Sequence, residues 1–273
     1  MDRTPAEPGA SRVLLLRLWG NMMSFGEHGV GDRRVTRDFP PTSWMTGLIA
    51  NALGYCRPEW ERHERLQAAL RYAVRCDRVG ALMSDYQTVD LGQPWMDPDR
   101  TAWTTSGEVG KRRGSSGGGT HVKRSEYIND AVYTVALALV PAAEVPSLAG
   151  VAAALTRPAR PLFLGRKCCL SAVPLVLGWG VHESVLVSLL EAQDIPRDLK
   201  ATRHEDAYRC WWLPESAPGL DGEPERVLGD HRDWHNQTHV GDTVWMHTPL
   251  TRAQVRAHFG FTPTEATSNA PHG

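Results

Sequence analysis

The stretch AVYTVALALV, residues 131–140, is ten residues long, has no charge and is rich in β-branched side chains. A run this short and this apolar predicts a strand covered on both faces, and such a strand must have neighbours. Val13–Leu18 (VLLLRL) is a second buried-strand candidate. Tyr72–Val79 alternates, with Tyr72, Val74 and Cys76 on one side and Arg75 and Asp77 on the other. That pattern predicts a half-exposed strand. Ala172–Leu177 supplies a fourth. Between the strands lie helical segments. Thr42 or Ser43 caps one running to Leu53, with Gly54 as its stop. Residues 57–70 have helical spacing and many charges, and residues 144–156 form a helix with Pro158 just past its end.

The resulting order is β-α-β, an insert, then β-α-β. This predicts an α+β fold of the ferredoxin-like or RRM-like βαββαβ type, spanning residues 11–181, whose sheet often binds single-stranded RNA. The insert, about residues 80–125, has little apolar periodicity. From Arg100 to Arg124 it holds six Lys and Arg against one acid, and GSSGGG at 114–119 reads as a flexible tip. An extended β-hairpin with a basic rim is expected. Residues 182–262 read as a C-terminal appendage, with a helix near Glu183–Ala192 and short strands at Tyr208–Leu213 and Thr243–His247. Residues 1–10 and 263–273 read as disordered tails.

Overall charge is −1, but residues 1–181 sum to +5 and residues 182–273 to −6. This split favours a polyanion-binding face beside an acidic, outward-facing one. No apolar run approaches the ~20 residues that span a bilayer, so no membrane partner is expected. Five cysteines without a CxxC pair suit reduced thiols and a cytoplasmic location.

Four features bear on chemistry. At 164–169, LGRKCC joins an exposed backbone position, Gly165, to two cations, Arg166 and Lys167, and to Cys168 and Cys169. A phosphate cradle, a thiol site and an ordinary turn all remain open, with both thiols read as packing residues of a following strand. Lys111, Arg112, Arg113, Lys123 and Arg124 on the insert are placed to track a nucleic-acid backbone. About five such contacts would give single-strand binding a log–log salt slope of roughly −3.5. Of the rings near basic or glycine-rich loops (Trp19, Phe25, Trp44, Tyr86, Trp95, Trp103), one or two are expected to stack on bases and the rest to pack. His231, His235 and His239 at i, i+4, i+8 would share a helix face, but Gly229, Asn236 and Gly241 argue against a helix, so surface histidines are expected rather than a metal site. There is no GxSxG and no GxxxxGK[ST], and no cofactor is expected.

Five blocks in order resemble the CasD family, the fifth Cas protein of type I-E CRISPR systems. They are RLWGNMMSFGE (17–27), RVTRDFPPTSWMTGLIANALG (34–54), RYAVRCDRVG with DYQTVDLG (71–80, 85–92), SEYINDAVYTVAL (125–137) and LGRKCCL (164–170). Asn21, Met23, Phe25, Thr42, Trp44 and Leu170 stand where the family commonly has other residues. The resemblance implies a repeat-associated RNA-binding (RAMP) fold whose insert is a β-hairpin thumb. It implies a non-catalytic subunit that caps the 5′ handle of the CRISPR RNA (crRNA) in the Cascade surveillance complex. The neighbours would be the adjacent backbone subunit and the large PAM-reading subunit, with target DNA nearby. It implies RNA contacts at Arg17, Met22, Phe25, Arg34, Thr36, Ser43, Tyr86 and Tyr127. Lys111, Arg112, Arg113, Lys123 and Arg124 of the hairpin and Gly165, Arg166 and Lys167 of the loop complete the set. The corresponding type I-C subunit is an enzyme that cuts precursor RNA without metal; Tyr55, His63 and Lys123 are residues of the needed type. A metal-dependent nuclease built on the C-terminal histidines is the other alternative.

Overall fold

A computed structural model describes residues 13–26, 33–90, 101–103, 109–111, 120–141, 145–180, 182, 184–196 and 207–260. The uncharged stretch forms β9 (Val132–Leu139), which lies between β1 (Val13–Trp19) and β4 (Leu70–Arg78). Both pairings are antiparallel, with Leu16 opposite Val135 and Val74 opposite Val135 across the two ladders. β10 (Val176–Gly180) pairs with the outer edge of β1. On the other side β11 (Ala207–Trp212) pairs with β4, and β15 (Thr243–Thr251) and β12 (Glu223–Val227) follow. The sheet therefore reads β10-β1-β9-β4-β11-β15-β12, and the C-terminal strands continue it without a break.

Alternate side chains explain the layers. Leu14, Leu16 and Leu18 of β1 face one core with α1 (Thr42–Ala52), α2 (Trp60–Ala69) and α3 (Leu148–Thr156). Val13 and Leu15 face a second core with α4 (Val185–Glu191) and α5 (Arg252–His258). A mixed α+β architecture with a mostly antiparallel sheet results.

Three local expectations are corrected. β4 is not half exposed: Arg75 is fully buried and Asp77 nearly so, because α4 covers the second face. Arg75 Nε donates to Asp77 Oδ1 at 2.9 Å and Nη1 donates to the Leu189 and Ala192 carbonyls at 3.0 and 3.3 Å. A guanidinium thus meets the orphan carbonyls at the end of α4. Next, neither Thr42 nor Ser43 caps α1 with its side chain; Pro41 is the N-cap residue. The Asp230 carboxylate takes that place, accepting from Thr42 N–H at 2.7 Å and Thr42 Oγ1 at 2.9 Å. Finally, the strand expected at Ala172–Leu177 begins only at Val176. Upstream, Pro174 lacks an N–H and Ser171 Oγ bonds the Val173 carbonyl at 2.7 Å, which keeps the chain looped.

Candidate nucleic-acid interface

The insert is a hairpin. β5 (Ala81–Asp90) and β8 (Thr120–Asn129) pair from Ala81↔Asn129 to Asp90↔Thr120. The free edge of β8 is taken by two pieces of the connection after β1. β2 (Met22–Met23) runs antiparallel to it and β3 (Arg33–Arg34) runs parallel. Two short strands, β6 (Thr101–Trp103) and β7 (Val109–Lys111), pair with each other between β5 and β8 in sequence. β13 (His231–Asp233) and β14 (Thr238–Val240) form a separate small ladder.

This threading gathers charge from distant segments. Arg33 lies opposite Arg124, and Arg124 lies opposite Tyr86. The Arg124 guanidinium sits 5.6 Å from the Tyr86 ring centroid, and Tyr86 is 50% exposed. Arg33 reaches Glu126 at 3.5 Å with 61% of its side chain exposed. Arg34 is exposed and Lys123 half-buried on the same hairpin sheet.

The LGRKCC loop docks on the root of this hairpin. Ser24 N–H donates to Leu164 O at 2.9 Å, and Leu164 N–H donates to Cys169 O at 2.7 Å. Gly165 has φ +113°, and a Cβ there would lie 1.9 Å from Ser24 O. The glycine is therefore demanded by a neighbouring backbone inside the protein, which corrects its reading as an open approach for phosphate. Arg166 is also committed internally. Its Nη1 donates to Glu126 O at 2.8 Å, its Nη2 to Arg34 O at 3.0 Å, and its guanidinium covers the Tyr127 ring at 4.6 Å. Lys167 is exposed. Arg166→Ala is expected to cost about 2 kcal/mol of stability through the lost charged hydrogen bonds, whereas Lys167→Ala should leave the urea midpoint unchanged; paired denaturation curves check both.

Cys168 and Cys169 are not strand residues. Cys168 is exposed, with Sγ donating to the Tyr127 hydroxyl at 3.6 Å. Cys169 is buried, and burial pushes its thiol up to about 11. Burial also raises Cys76, to about 12, and holds Cys210 well above the ordinary range. A thiol reagent applied to the native protein should therefore label Cys56 and Cys168, the two exposed cysteines, and spare the other three until denaturation.

Other candidates move inward. Arg17 is 6% exposed, bonds the Gln193 carbonyl, and has its pKa lowered by burial. Phe25 is fully buried between Trp44 and Tyr133, with ring centroids 5.2 and 5.4 Å away. Both pack inside the chain in this structure: alternation along β1 points Arg17 at α4, and Phe25 fills the space under Trp44. Met22 is partly buried on β2, and Tyr127 is buried under Arg166. Thr36 Oγ1 accepts from Phe25 N–H at 2.9 Å, and Ser43 N–H donates to Asp230 O at 3.0 Å. Lys111 is placed on β7 by its backbone alone, and Arg112, Arg113 and the GSSGGG tip lie outside the described residues.

His231 and His239 stand on the β13–β14 ladder and not on one helix face, with His231 opposite Val240. His235 packs edge-on against Trp60 at 4.8 Å. Among the described residues, no group of three or more His, Cys, Asp or Glu is placed to hold a metal. Tyr55 and His63 do meet, at 5.5 Å, but both are buried, and His63 stacks on Trp234 at 4.7 Å. Lys123 stands apart from them on β8. Two contributors were missed from sequence. Arg33 was legible only as the neighbour of Arg34, and Asp230 gave no signal across 188 residues of separation from Thr42.

The fold and its basic hairpin can be set beside known proteins, and they fall in one class, the CRISPR-associated proteins. The family described as CRISPR-associated protein (Cas_Cas5) matches residues 13–260, and the chain belongs to it. Within that class it is 32% identical over 186 residues to the CRISPR system Cascade subunit CasD of Escherichia coli (strain K12), covering 68% of this chain and 79% of that one. It also superposes on a chain of a solved CRISPR RNA-guided surveillance complex with a TM-score of 0.62 and 26% identity, covering 87% of this chain and 90% of that one. Among the described residues no helix is long and apolar enough to cross a membrane.

Proposed function

We propose that this chain is a crRNA-binding subunit of a type I-E Cascade complex that holds the 5′ handle and performs no chemistry on it. The carrying observation is that one hairpin gathers cations from three separate segments: Arg33 and Arg34 on β3 and Lys123 and Arg124 on β8 stand along it, and the loop bearing exposed Lys167 is fastened to it through Arg166. Cations tracking a backbone beside an exposed ring suit single-stranded RNA. The strands β1, β4, β9 and β10, with their intervening helices, make up the RRM-like core of this reading. The hairpin is its thumb. The C-terminal strands and their connections, which carry exposed Glu215, Glu223 and Asp242, supply acidic surface for the neighbouring backbone and large subunits.

Of the residues of the type the enzymatic reading needs, Tyr55 and His63 are buried, at 4% and 7% exposed, and Lys123 stands apart from them on β8. Incubating the purified protein with labelled precursor RNA, with and without EDTA, separates the possibilities. Binding without cleavage is expected. Cleavage that survives EDTA would establish the type I-C-like activity, and EDTA-sensitive cleavage would establish a metal nuclease. Lys167→Glu is expected to weaken binding several-fold and to lower the log–log salt slope by ~0.7, the value of one phosphate contact on a single strand.

A further inference from the structure

Resting on the RNA-binding reading, we infer that Arg33, Arg124 and Tyr86 form one nucleotide subsite on the face of the hairpin turned away from Arg166. The two arginines hold a single phosphate between them, and Tyr86 carries the adjoining base. The register supplies the geometry. Arg33 pairs with Arg124 across the parallel ladder, and Arg124 pairs with Tyr86 across the antiparallel one, so the three stand in a row. Successive residues of a strand alternate in direction. Glu126, two residues along, therefore shares the face of Arg124, and its ion pair with Arg33 at 3.5 Å agrees with this. Tyr127 shares the other face, where Arg166 covers it. Asp85 also alternates away from Tyr86 and accepts from Gln87 Nε2 at 2.7 Å.

A single exposed tyrosine would need no explanation. Two arginines set opposite each other do, because like charges facing across a ladder repel. Among the side chains described, Glu126 is the acid facing this row, and it already accepts Thr36 N–H at 3.4 Å besides pairing with Arg33. One carboxylate against two guanidiniums leaves the row a net cation. A phosphate bridging Arg33 and Arg124 removes the repulsion and accepts charge-assisted bonds from both. Arg124 already lies 5.6 Å from the Tyr86 centroid, so a phosphate held there brings its own base over a ring that is 50% exposed. Leu82, on the same face of the edge strand and 69% exposed, continues the apolar track past Tyr86.

The test uses the full chain and a repeat-derived single-stranded RNA carrying 2-aminopurine at successive positions. Wild type and Tyr86→Phe should quench the probe at one position. Tyr86→Leu should abolish that quench and weaken binding about 5- to 150-fold, the range of one lost base stack. Arg33→Gln with Arg124→Gln should lower the log–log salt slope by ~0.7, the value of the one phosphate they share, with thermal melts showing that the variants fold. If Tyr86→Leu and the double arginine variant bind within twofold of wild type while Lys167→Glu loses affinity, the subsite is wrong and the RNA-binding reading stands. If wild type binds the repeat-derived RNA no better than a scrambled strand, the RNA-binding reading itself falls.

Discussion

Asp230→Ala should lower the stability of the protein by about 3–5 kcal/mol, the sum expected when several buried donors lose their acceptor together. Asp230 is 1% exposed. Its carboxylate accepts from Thr42 N–H at 2.7 Å, Thr42 Oγ1 at 2.9 Å and Trp245 Nε1 at 3.1 Å. Its own carbonyl accepts from Ser43 N–H at 3.0 Å. One side chain thus closes the N-terminus of α1 and fastens it to β15. The alanine variant leaves the Thr42 and Trp245 donors unmatched in the interior, while Ser43 N–H keeps its backbone acceptor. Around it Phe39 stacks on Trp211 at 5.2 Å and meets Trp245 at 5.1 Å. The loss should spread through that cluster and appear as a melting temperature about 10 °C lower. Asp230→Asn keeps one acceptor oxygen and should fall between the two. A shift below ~2 °C in the alanine variant would show that α1 is capped by other means.

Arg75→Ala should cost a similar ~3–5 kcal/mol, for a different reason. Removing one partner of a buried ion pair strands the other charge without solvent or counter-ion. Arg75 and Asp77 side chains are both fully buried, with Nη2 2.7 Å from Oδ1. Asp77 accepts a further hydrogen bond from Thr134 Oγ1. The same guanidinium bonds the Leu189, Leu190 and Ala192 carbonyls. Its loss would leave both a carboxylate and a helix end unpaired. Replacing Arg75 and Asp77 together by Met and Leu should recover much of the loss, since the desolvated charge then disappears. Urea titration of the single and double variants checks this. A double variant no better than Arg75→Ala would place the main role of Arg75 at the α4 carbonyls.

Local signals carried the parts of this fold that depend on local physics. β9 was legible because ten uncharged residues admit few conformations, and the basic hairpin because glycines and cations displaced apolar periodicity. What escaped was set by contacts between distant segments. Arg75 and Asp77 alternated as a solvent-facing pair would, and only α4, more than a hundred residues later, turns that face into a second core. Gly165 suggested ligand access, whereas the atom that requires it is Ser24 O. Arg17 and Arg34 look alike in a basic opening segment, yet strand alternation buries the first and leaves the second exposed. A basic hairpin is expected from the sequence, and strands pair there, but which of its cations face outward depends on strand alternation and on Arg166 being drawn inward to Glu126 O and Arg34 O.

The most direct test of the central claim is to tag this chain in its native host, purify it under mild salt, and analyse what accompanies it. A crRNA-binding Cascade subunit should elute as a multi-subunit particle containing intact RNA of discrete length with a constant repeat-derived 5′ end. A solitary protein carrying no RNA would contradict it.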